Sequence, residues 1–112
     1  MTLQEIIAKL NLKVLTAPRN FSAITPRGGY ASDLLSCVMA GAQPDNVWVT
    51  LQAHMNVVAV ASLREVSAVI ITEGAQPEAD VITKANEQDV ILLSASEPSY
   101  AVIGRLWKMG IQ

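Results

Sequence analysis

The sequence predicts an α/β domain, a three-layer sandwich in which helices cover both faces of a mainly parallel central sheet. Three observations lead there. The strand candidates Val47-Trp48-Val49, Ala68-Val69-Ile70-Ile71 and Val90-Ile91-Leu92-Leu93 are continuous apolar runs without alternation, as expected for strands buried on both faces. Helical patterns separate them, and parallel neighbours require such crossovers. The chain has 112 residues, 51% of them apolar or aromatic and only 16% charged, enough for the core of one domain over residues 1–112. Size scaling gives a folded surface of about 6,000 Å² for such a chain.

Thr2 followed by Glu5 has the spacing of a capping box, and Ile6, Ile7 and Leu10 form the apolar face of a helix over 2–10. Leu12, Val14 and Leu15 offer a short strand. Residues 18–29, with two prolines, Asn20 and a double glycine, read as irregular chain. Ser32 is placed to cap a helix whose Leu34, Leu35, Val38 and Met39 face inward, with Gly41 as its stop and Asp33 at its positive end. Pro44-Asp45-Asn46 forms a turn before the internal strand Val47–Leu51.

Residues 54–67 mix strand-favouring valines with helix formers. The need for a crossover decides for a helix, with a break near Ser62. The strand Ala68–Thr72 ends at Glu73-Gly74. Pro77 opens a helix to Gln88 with Val81, Ile82 and Ala85 inward. After the strand at 90–93, Ser96 and Pro98 open a helix in which Tyr100, Ile103, Leu106 and Trp107 recur at helical spacing, closed by Gly110.

The formal charge is −2, the eight basic residues are dispersed, and there are only five aromatic residues, so nucleic acid is not an expected partner. No apolar run reaches membrane-spanning length, and the opening residues lack a secretory leader, which predicts a cytoplasmic protein without membrane contact. Cys37 stands alone and reads as a buried small hydrophobe. No spacing implies a metal, and the sequence identifies no cofactor.

Polar residues gather at the predicted carboxyl ends of the strands, where open parallel sheets bind ligands: Gln52, His54 and Asn56, then Thr72, then Ser94. His54 is the single histidine, suited to proton exchange near neutral pH and equally to starting a helix. A second candidate is Arg27-Gly28-Gly29-Tyr30. Glycine N–H groups and Arg27 offer a seat for a small anionic ligand, and Tyr30 adds a hydroxyl and a flat face; the same letters make a tight turn. Neither nucleotide-loop glycine spacing is present. No base or orienting group accompanies Cys37 or the serines, so no catalytic residue is assigned.

The segments Gly28-Gly29-Tyr30-Ala31-Ser32-Asp33-Leu34-Leu35-Ser36, Val47-Trp48-Val49-Thr50-Leu51-Gln52 and His54 through Ala61, with Ile70-Ile71-Thr72-Glu73-Gly74 and Ile103-Gly104-Arg105-Leu106, resemble a stand-alone DRTGG-domain protein. The resemblance implies a regulatory or ligand-sensing module, similar in fold to the amino-terminal domain of HPr kinase and related to domains attached to certain pyrophosphatases and phosphotransacetylases. It also implies a redox-system or metabolic-enzyme partner. At the family's namesake stretch, residues 23–29 keep the paired glycines but lack the usual acidic-basic pair, and Arg27 stands where a hydroxyl residue is common.

Three functions are then ranked. A noncatalytic regulatory or adaptor module, acting as a homodimer or through a partner protein, comes first because low surface charge and apolar helix faces favour an interface. A small-molecule or nucleotide sensor comes second, and an autonomous enzyme third.

Overall fold

The computed structural model describes residues 1–112 and has an accessible surface of 5810 Å², close to the size-scaling expectation. Helix α1 (Leu3–Leu10) starts with Thr2 and Glu5 in a reciprocal capping box and is followed by the short strand β1 (Lys13–Val14). A 3-10 turn at Phe21–Ala23 precedes strand β2 (Gly29–Ala31) and helix α2 (Leu35–Gly41). Then come β3 (Val47–Thr50), α3 (Met55–Arg64), β4 (Ala68–Ile71), α4 (Ala79–Glu87), β5 (Leu92–Ser94) and α5 (Ser99–Lys108).

The five strands form one sheet in the order β1-β5-β4-β3-β2, parallel except where β1 runs antiparallel to β5. Strand residues alternate between two cores. Val47, Val49, Ile70 and Leu93 pack beneath α1 and α5, while Trp48, Val69, Ile71 and Leu92 pack beneath α2, α3 and α4. Both faces are therefore dry, as the uninterrupted apolar strands predicted.

From β2 to β5 the chain steps along the sheet in one direction without doubling back. Crossovers of one hand then place α2, α3 and α4 on one face. Among these parallel strands the order never reverses, so the sheet has no crevice of the kind that opens where it does.

Several expectations are corrected. Gly29 and Tyr30 belong to an edge strand: Gly29, Tyr30 and Ala31 register with Val47, Trp48 and Val49. Their composition hid it, because glycine and alanine carry no strand signal. Leu34 is the cap residue of α2, and the Ser32 hydroxyl accepts the Leu34 N–H one step earlier. Of the four apolar residues assigned inward on α2, Val38 is buried, Leu35 is half-buried, and Leu34 and Met39 are exposed. Cys37 is exposed rather than buried.

Helix α3 is unbroken at Ser62. In α5 the buried face is Val102 and Leu106, leaving Tyr100, Ile103 and Trp107 exposed. Gly41 closes α2 inside the helix, without a left-handed turn; a β-carbon there would lie 2.6 Å from the Tyr30 ring, so its role is to make room.

Candidate functional site

The carboxyl ends of β2 to β5 form a polar rim. Asp33, just past β2, ties down the end of β3: its Oδ1 accepts from the Thr50 hydroxyl and from the Leu51 N–H, each at 2.8 Å. This replaces the expected role of Asp33 at the start of α2. Gln52 belongs to the same knot, donating its N–H to Thr50 Oγ1 at 3.1 Å and its side-chain amide to the Asp33 carbonyl at 3.4 Å.

Thr72, fully buried at the end of β4, donates its backbone N–H to the Thr50 carbonyl at 2.9 Å and shares a short hydrogen bond with the Ser99 hydroxyl. Ser94 is buried in β5 opposite Lys13 of β1. Glu73, in a left-handed conformation at φ 62°, turns its carboxylate to the start of α5 and accepts the Ser99 N–H at 2.6 Å. That interaction places a negative charge at the positive end of the helix dipole. Sequence reasoning missed the role of Glu73 and Ser99; the Glu-Gly pair after a strand was the available signal, and it was read only as a strand end.

His54 is the cap of α3, its Nδ1 accepting the Asn56 N–H at 3.1 Å. His54 also lines an open cavity of about 490 Å³ with Met55, Gln76, Glu78 and Asp80. Its charged lining is acidic, which disfavours an anion there. No three His, Cys, Asp or Glu side chains gather in a way that could hold a metal ion.

The glycine segment lies at the other end of the sheet. Arg27 donates its N–H to the Asp45 carbonyl at 2.8 Å, and its own carbonyl accepts from the Asn46 side chain at 2.7 Å. Gly28, at φ 76°, turns the chain into β2 where a β-carbon would lie 3.0 Å from the Gln112 carbonyl oxygen. The Gly29 N–H reaches the Gln112 carbonyl at 3.4 Å, and the Tyr30 hydroxyl donates to the Cys37 carbonyl at 3.0 Å. The predicted site residues thus fall into two groups: Gln52, His54, Asn56, Thr72 and Ser94 toward the rim, and Arg27, Gly28, Gly29 and Tyr30 along β2 and its approach.

Beside β2 a groove of about 200 Å³ runs beneath α5, lined mainly by apolar groups of Ala31, Val49, Ile103, Trp107 and Ile111. It opens because Gly29 and Ala31 contribute almost no side chain to that face.

Comparison with known proteins gives these features a family. The chain belongs to the DRTGG domain family, whose model matches residues 32–109. The matched segment begins after the paired glycines. Among solved structures it is similar to the CBS and DRTGG domains of the regulatory region of Clostridium perfringens pyrophosphatase, complexed with the activator diadenosine tetraphosphate, with a TM-score of 0.76 at 15% identity. The likeness covers 94% of this chain and 45% of that one, so this chain spans under half of its length. No curated protein sequence matches it.

Proposed function

We propose that this DRTGG domain is a noncatalytic regulatory or adaptor module that acts through self-association or through a protein partner, a metabolic or redox enzyme in the cytoplasm. The observation that carries this reading is the exposure of large apolar side chains on α2 and α5, Leu34, Met39, Tyr100, Ile103 and Trp107, on a chain with few charges. The rim supports it as well, because Asp33, Thr50, Gln52, Thr72, Glu73 and His54 already bond to one another or to backbone groups. Native mass spectrometry of the chain purified from its own cells tests this. Stoichiometric complexes with a second copy or an identified enzyme are expected; a monomer that turns over substrate overturns the reading.

Nucleotide sensing is the second reading, favoured by the diadenosine tetraphosphate bound to the Clostridium perfringens protein. In it Gln52, His54, Asn56, Thr72 and Ser94 contact the ligand at the rim, or Arg27, Gly28, Gly29 and Tyr30 hold its phosphates. It ranks lower because Glu78 and Asp80 flank His54. Calorimetric titration with diadenosine tetraphosphate distinguishes the two: saturable binding weakened by Arg27→Ala supports a phosphate seat at β2, and no heat at any concentration removes it.

A further inference from the structure

Strand β2 ends the sheet, and its outer edge is covered only at Gly29, by residues 111 and 112. Natural edges are blunted by charge, proline, a bulge or a covering element. Residues 28–32, Gly-Gly-Tyr-Ala-Ser, contain neither charge nor proline. The register with β3 points the peptide groups of Tyr30 inward, so the backbone groups of Gly29 and Ala31 face outward. Of these, the Gly29 N–H alone has a partner, the Gln112 carbonyl at 3.4 Å. Above the edge lies the apolar groove, lined from α5 by Ile103 and Trp107, and with Tyr100 one turn earlier these residues form one stripe at helical spacing.

The geometry points to a second copy of this chain as the occupant, with the two β2 strands paired antiparallel across a twofold axis at Tyr30 and the two α5 stripes meeting above the joined sheet. This rests on the reading that the chain acts by association, and it names the surface. Two observations select a second copy.

The first is register. Opposing Gly29 to the partner's Ala31 lets the outward backbone groups exchange hydrogen bonds in both directions, and the Gly29 N–H passes from Gln112 to the partner's Ala31 carbonyl. The second is area. Trp107 is 60% and Tyr100 91% exposed, together about 350 Å² of largely apolar surface. Ile103 raises this toward the ~450 Å² of apolar area in a standard interface of about 800 Å² per partner. Gly29 and Ala31, small on the α5 face, leave room for the partner's Trp107.

Sedimentation velocity of the full chain across concentration tests this. Wild type is expected to pass from 12.0 kDa toward twice that mass. Ala31→Pro, which removes an outward N–H, and Trp107→Glu should each raise the dimer dissociation constant at least about tenfold, with circular dichroism confirming the fold. Leu63→Glu, at an exposed apolar position on α3, should leave it unchanged. A 12.0 kDa species at every concentration, or a dimer indifferent to both folded interface variants, overturns the pairing. A chain that remains monomeric yet binds an identified enzyme overturns the pairing alone and leaves the regulatory reading standing.

Discussion

Glu73 and Ser99 are joined across the rim: the carboxylate at the end of β4 accepts the first N–H of the helix that follows β5, at 2.6 Å. No other side chain caps α5, since its cap residue is Pro98. The contact therefore couples the β4 end to the placement of the last helix, which covers one face of the sheet.

Replacing Glu73 separates two opposing effects. Glu73→Ala keeps the strained φ of 62° but removes the acceptor, and should cost about 1 kcal/mol. Glu73→Gly loses the same acceptor but relieves left-handed strain of about 1 kcal/mol, so it should lie close to wild type. Urea unfolding midpoints check both, and equal losses would show that backbone strain at this turn is negligible.

Tyr30 and Gly41 are a second coupled pair. A methyl at position 41 meets the Tyr30 ring at 2.6 Å, so Gly41→Ala should destabilise by about 1–3 kcal/mol as the ring shifts and gives up its bond to the Cys37 carbonyl. In a Tyr30→Ala background the obstruction is gone. The same change should then be neutral or stabilising by up to about 1 kcal/mol, because alanine suits a helix better than glycine. A double-mutant cycle in urea measures the difference, and additivity would refute the contact.

The capping box of α1 predicts a pH dependence. Backbone and side-chain hydrogen bonds from Thr2 hold the Glu5 carboxyl below its ordinary range. A depressed folded-state value means that the ionised form stabilises the fold. That contribution is complete above the unfolded-state value and is lost as pH falls through the lower, folded-state value. Acid titration of the unfolding midpoint should show a smaller decline for Glu5→Gln than for wild type; superimposable curves would contradict this.

The three central strands and four of the five helices were legible because each rests on a local signal, an apolar run, a helical period or a cap, while α3 followed from the crossover that parallel neighbours require. Strand β2 was not. Its membership depends on pairing with Val47–Val49, which a Gly-Tyr-Ala segment does not announce. The exposed face of α5 was left undecided for a related reason. Tyr100, Ile103 and Trp107 have the right period for burial, but Val102 and Leu106 occupy the core, and only the three-dimensional arrangement decides which apolar stripe turns inward.

At the site, the polar residues after the strands were recognisable, yet their partners were not. Asp33 bonds to residues 17 and 18 positions away and Glu73 to one 26 positions away, separations at which spacing alone carries no information.

The one-directional march of β2 through β5 has a consequence for synthesis. Three crossover helices close one side of the sheet as the chain emerges, whereas the opposite side needs α1 and α5, joined by the Arg105 guanidinium on the Lys9 carbonyl at 2.8 Å. Val47, Val49, Ile70 and Leu93 thus stay without their full cover until α5 has left the ribosome, and a stalled chain ending before Ser99 presents an apolar sheet face to chaperones and proteases.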